Sequence, residues 1–74
     1  MFAARYIKIG AKIRYYRIIN KMEQAEFAEK IGVTRQYLSK IETGRAKPST
    51  DLLFKIADEL NIDVATIMKN DNSL

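Results

Sequence analysis

The stretch Gln24-Ala25-Glu26-Phe27-Ala28-Glu29-Lys30-Ile31-Gly32-Val33-Thr34-Arg35-Gln36-Tyr37-Leu38-Ser39-Lys40-Ile41-Glu42 decides the fold. Phe27, Ala28 and Ile31 recur at helical spacing, and Gly32 then breaks the run. Small Ala28 lets a following helix approach closely. Val33 packs under the turn, and Thr34 is of the residue type that caps a helix start. Leu38 and Ile41 make the buried pair of a second short helix. What that helix keeps for its other face is long and polar: Arg35, Gln36 and Lys40.

Upstream, the spacing predicts a helix over about residues 7–19, with Ile9, Ile13 and Tyr16 inward and Lys12 and Arg14 off that stripe. Asn20-Lys21 is the expected stop, because Asn tolerates a left-handed cap. Downstream, Thr43-Gly44 ends the third helix and Arg45-Ala46-Lys47-Pro48 forms a short basic loop. Ser49 caps a fourth helix, with Asp51 in its first turn and Leu53, Ile56, Ala57 and Leu60 inward. Asp63 caps a last short helix, about residues 64–69, with Val64 and Ile67 inward. No period-two run of β-branched residues suggests a strand. The expectation is an all-α fold of five helices in one domain over residues 1–74. Its core covers about 8–69, with an N-terminal extension over 1–7 and a fraying tail over 70–74.

The 74 residues allow one domain with a small core. There is no cysteine and no histidine, which removes disulfides, cysteine-based zinc sites and the commonest general base. No Gly-rich phosphate loop occurs, and the carboxylates sit at caps or on solvated faces. The sequence therefore argues against an enzyme and calls for no metal or cofactor. No apolar run reaches the roughly 20 residues that span a bilayer, and no signal-type block opens the chain, so a cytoplasmic protein with no membrane partner is expected.

The net charge of +4 is unevenly spread. Residues 1–47 hold 11 Lys/Arg against 4 Glu, a net +7, and residues 48–74 hold 2 Lys against 5 Asp/Glu, a net −3. A phosphate polyanion is drawn to the first part and repelled by the second. Two short helices joined by a tight turn, the second with a polar outer face, make a device that enters the DNA major groove. On that face Arg35 can grip guanine, Gln36 can grip adenine and Lys40 can donate to guanine acceptors, each from the groove side. An ordinary solvated helix face is the alternative. Tyr37 suits either the sugar-phosphate backbone, a thymine methyl or a gap between helices. Thr34, Thr43, Arg45 and Lys47 flank the helix and suit phosphate contacts, with Arg14 a weaker candidate. For Arg45 and Lys47 plain solubility competes with that role.

The pattern Ile9-Gly10…Ile13-Arg14…Arg17, Gln24…Phe27-Ala28…Gly32-Val33-Thr34…Leu38-Ser39-Lys40-Ile41-Glu42…Gly44…Lys47-Pro48-Ser49 and Leu53…Ile56-Ala57…Leu60 resembles the lambda-repressor-like helix-turn-helix family, also called the xenobiotic-response-element family. The resemblance covers about residues 8–69. It implies a compact five-helix domain whose third helix reads duplex DNA, usually as a homodimer on a pseudo-palindrome. It further implies base contacts at Arg35, Gln36 and Lys40 and a phosphate contact at Gln24. Arg17 and Glu42 match positions that form an ion pair between helices one and three, from which Arg17 can still face a phosphate.

Three departures from the family pattern matter. Lys21 stands where the family often has Gly, and Glu23 where it often has Ser or Thr, a poorer cap. Ile18 and Ile19 stand where charged residues are common. Helix one thus carries a second apolar stripe, Ala11, Tyr15 and Ile19, preceded by Phe2 and Tyr6. Either the extension folds back over this stripe or the stripe is an interface. Family precedent places a dimer contact at the C-terminal helices, where Leu52, Ile62, Met68 and Leu74 are available. The sequence leads to a small transcriptional regulator, expected to be a homodimeric repressor that binds double-stranded DNA. A protein-interaction module, antitoxin-like or adaptor, with a protein partner is the alternative. A single-stranded RNA binder would need aromatic stacking platforms, and the aromatics here read as structural.

Overall fold

A computed structural model describes residues 4–69 of the chain. Among them are five helices and no strand: α1 Ala4–Ile19, α2 Gln24–Ile31, α3 Arg35–Glu42, α4 Thr50–Leu60 and α5 Val64–Met68. This is the all-α, five-helix architecture expected from the sequence. The core is contiguous and draws on every helix. Ile13, Phe27, Leu38, Ile56 and Ile67, one from each in order, lose essentially all their exposure. Tyr16, Met22, Val33, Leu52, Ile62 and Val64 are half-buried against this cluster.

The capping residues set the boundaries as their chemistry dictates. The Thr34 hydroxyl accepts from the Tyr37 amide at 3.0 Å, the Ser49 hydroxyl from Leu52 at 3.1 Å and the Asp63 carboxylate from Ala65 at 3.0 Å. Each satisfies an amide that the first helical turn leaves without a partner. Glu23, as its side chain suggests, makes no such bond at the start of α2. Gly32 ends α2 with φ 78°, and the Val33 amide donates back to Ala28 at 3.0 Å. A Cβ at that φ would be strained, so the turn needs glycine.

Four details differ from the sequence reading. Helix α1 begins at Ala4, three residues before its expected start, so Tyr6 is part of the rod and cannot fold back over it. Lys12 is buried, because its Nζ donates to the Lys69 carbonyl at 2.6 Å while its stem lies along the core. The left-handed residue between α1 and α2 is Lys21, φ 59°, while the Asn20 side-chain Nδ2 donates to the Tyr16 carbonyl at 2.7 Å. Finally, α5 stops at Met68. Phe2, Leu74 and the tail over 70–74 lie outside the described residues.

Gly10 brings the elements together. It is buried in α1 against the end of α3, where a methyl group would overlap the Ile41 carbonyl oxygen. The absent side chain is what lets the α1 backbone rest on the α3 backbone. That contact fixes the direction in which α3 points.

Candidate nucleic-acid interface

Helix α3 is divided lengthwise. Leu38 and Ile41 are 0% and 1% exposed and anchor one side in the core. Arg35, Gln36 and Lys40 are exposed on the other. Gln36 and Lys40, four apart, lie one above the other, and Arg35 stands beside Gln36 in the first turn. Tyr37 is also exposed, and its amide is held by the Thr34 cap. The outer surface of α3 therefore presents one guanidinium, one carboxamide and one ammonium in a row, with no carboxylate among them.

Behind this surface lies a polar network that the fold closes completely. The Arg17 Nε donates to Glu42 Oε2 at 2.7 Å and its Nη2 to Oε1 at 3.1 Å, a two-pronged contact. Its Nη1 donates to the Met22 carbonyl at 2.7 Å. Gln24 Nε2 donates to the same Glu42 Oε1 at 3.1 Å. Both Arg17 and Glu42 are buried. One carboxylate thus ties α1, the turn after it, and the starting residue of α2 to the end of α3. Among the described residues no buried side-chain nitrogen or oxygen lacks a hydrogen-bond partner.

This geometry sorts the residues singled out in the sequence. Arg17 and Glu42 form the expected ion pair, but burial leaves Arg17 little surface to offer a phosphate. Its place is in the scaffold. Gln24 sits at the start of α2, with part of its amide engaged by Glu42 rather than turned wholly outward. The Thr43 hydroxyl donates inward, to the Ser39 carbonyl at 3.0 Å with the Lys40 carbonyl at 3.3 Å, so its single proton is occupied. The Thr34 oxygen accepts from an amide, and its own proton remains a donor. Arg14 and Arg45 are exposed. Lys47 is exposed too, with its Nζ 5.7 Å from the centre of the Tyr6 ring.

The role of the Met22 carbonyl, the Gln24 bond to Glu42 and the Tyr6–Lys47 contact were not legible in the sequence. Each joins residues that no local pattern relates. Among the described residues no group of three or more His, Cys, Asp or Glu side chains is placed to hold a metal ion. No helix among them is long and apolar enough to cross a membrane.

A helix-turn-helix family model matches residues 13–67, which include the buried network and all of α2 to α4. The chain belongs to the helix-turn-helix family. The branch is the lambda-repressor-like, xenobiotic-response-element one that the sequence resembles, a family of DNA-binding transcriptional regulators and not of enzymes. An uncharacterised HTH-type transcriptional regulator of Methanocaldococcus jannaschii is 39% identical over 56 residues, 76% of this chain and 85% of its own. The HTH-type regulator SinR of Bacillus subtilis is 38% identical over 61 residues, 81% of this chain but 55% of its own length. Several helix-turn-helix relatives are thus longer than the part that this chain matches. In structure, the chain resembles SinR in complex with DNA, with a TM-score of 0.77 at 37% identity over 82% of this chain and 98% of that one. It also resembles the clp gene regulator ClgR of C. glutamicum, with a TM-score of 0.85 at 29% identity, covering 92% and 87% of the two chains.

Proposed function

We propose that this chain is a sequence-specific binder of double-stranded DNA and acts as a homodimeric repressor on a pseudo-palindromic operator, with α3 in the major groove. The observation that carries this reading is the division of α3. Its inner side is held in the core and by the Glu42 network, while Arg35, Gln36 and Lys40 stand exposed in one row. Arg35 offers two donors to guanine O6 and N7. Gln36 offers a donor and an acceptor to adenine, and Lys40 reaches guanine acceptors. Tyr37, beside them, meets a thymine methyl or the sugar edge.

Phosphates on either side of the groove meet Thr34, Arg45, Lys47 and Arg14, with the amides at the start of α2 beside Gln24 favouring an anion. Thr43 contributes there less directly, since its hydroxyl proton is held by α3. The basic first part of the chain faces the polyanion in this arrangement and the acidic second part supplies none of the contacts. The similarity of the fold to SinR, which has been crystallised in complex with DNA, supports a DNA-binding reading.

Selection from a random duplex pool tests this. Purified protein is incubated at moderate salt, and the bound fraction is sequenced. The expected result is an enriched inverted repeat whose half-sites lie about 10–10.5 base pairs apart, one helical turn. Retention of every sequence alike, lost steeply as salt rises, would sink the specific reading.

A further inference from the structure

The loop that follows α3 is pinned along its backbone. The Arg45 and Ala46 amides both donate to the Lys40 carbonyl, at 2.8 and 3.2 Å. Gly44 is buried with φ 79°, and a Cβ there would stand 2.7 Å from the Ile7 Cγ1 and 2.8 Å from the Ile7 Cα. The loop backbone therefore rests on the first turn of α1, and a side chain at Gly44 would push the two apart. Ala46 packs against the core and Pro48 is buried. What these backbone contacts cannot hold is the long side chain of Lys47.

The same turn of α1 reaches that side chain. Tyr6, next to Ile7, is half-buried against the core, so its ring is a fixed platform. The Lys47 Nζ lies over this ring, 5.7 Å from its centre. A cation within about 6 Å of a ring centre is attracted to the electron-rich face. The ring occupies one side of the ammonium, which carries three N–H donors, and Lys47 is exposed on the other. The contact thus steadies the charge without enclosing it. Tyr6 belongs to the stretch by which α1 begins earlier than its apolar spacing foretold.

We propose that Tyr6 is a positioning residue for DNA binding: its ring holds the Lys47 ammonium ready for a phosphate beside the groove that α3 enters. The proposal rests on the reading of Lys47 as a phosphate contact given above. An unrestrained lysine loses rotamer freedom when a phosphate fixes it, and a ring that has already narrowed its range removes part of that loss. The number of neutralised phosphates stays the same. The ring therefore acts on affinity for all sequences alike and leaves the salt dependence as it was.

Fluorescence anisotropy of a labelled duplex of mixed sequence, titrated with the full chain at several salt concentrations, tests this. Lys47→Ala is expected to weaken binding and to flatten the plot of log affinity against log salt by about 0.9 per bound chain, one phosphate contact. Tyr6→Leu and Tyr6→Met each remove the ring and keep an apolar side chain on the core. Each is expected to weaken binding by about two- to tenfold per bound chain at unchanged slope. Tyr6→Phe keeps the ring and is expected to bind as the unsubstituted chain does. In a chain that already carries Lys47→Ala, Tyr6→Leu should weaken binding no further, a result that lost packing alone would not give. Circular dichroism of each variant verifies that it is folded.

Variants without the ring that bind as tightly as the unsubstituted chain, or more tightly, overturn the proposal and leave Lys47 its phosphate. Equal losses with and without Lys47 also overturn it, and return Tyr6 to packing alone. A Tyr6→Phe variant as weak as Tyr6→Leu overturns it in favour of the hydroxyl. If Lys47→Ala leaves affinity and slope untouched, the phosphate assignment fails and this proposal falls with it. Base reading by α3 is judged apart from all of these, by the selection from random duplexes.

Discussion

On its inner side α3 is held by Leu38 and Ile41 in the core and by Glu42 against Arg17, while on its outer side Arg35, Gln36 and Lys40 stand in solvent. Eight residues thus serve two ends that do not compete. The inner positions decide where the helix points. In the proposed function the outer ones decide what it meets. On that reading stability and recognition are separable within one short helix.

The largest test of that separation is Glu42→Ala. It removes the acceptor for Arg17 and Gln24 together and strands a buried guanidinium. The expected loss is about 3–5 kcal/mol of unfolding free energy by chemical denaturation, a large fraction of what so small a domain has. A loss below about 1 kcal/mol would show that the pair behaves like a surface one. Next comes Gly10→Ala. Alanine favours helix by roughly 1 kcal/mol over glycine, but here its methyl meets the Ile41 carbonyl, and α1 must move off α3. We expect a net loss of about 1–3 kcal/mol, so an unchanged or raised melting temperature would break the argument from close approach.

The smallest effect on stability belongs to the outer side. Arg35→Ala and Gln36→Ala should each leave unfolding within about 0.5 kcal/mol of the original. On an operator found by selection, each should relax one base position per half-site by about 1–3 kcal/mol in competition binding. A variant that destabilised the fold, or that weakened all sequences alike, would remove its residue from the base-reading row.

Most of the architecture was legible because short-range chemistry announces it. Thr34, Ser49 and Asp63 mark helix starts by their own side chains, Gly32 marks a turn, and the inward residues of α2 to α4 repeat at helical spacing. Helix α1 was harder to read. Isoleucines and tyrosines lie on both of its sides, so the apolar pattern alone set neither its start nor which lysine is buried. Lys12 reads as a surface residue until a carbonyl 57 positions away is brought beside it. The row on α3 could be named from sequence because burying Leu38 and Ile41 leaves only one face. The bond from Gln24 to Glu42 could not, because it exists only once α2 and α3 have crossed.

The bond from Lys12 to Lys69 couples α1 to the end of α5 in time as well as in space. A five-residue helix has little standing of its own in water, where isolated helices shorter than about 12–15 residues are marginal. Helix α5 is therefore held from outside itself, by this bond to α1, by packing on α4 and by the burial of Ile67, and is expected to open together with α1. In native-state hydrogen exchange the amides of α5 should share the protection of α1. Lys12→Met keeps the stem and removes the tie, so α5 should then exchange early while α1 keeps its protection. Rapid exchange of α5 in the unsubstituted chain would show that the tie is not felt. If it is felt, α5 is clasped by α1, and the two helices leave the fold together.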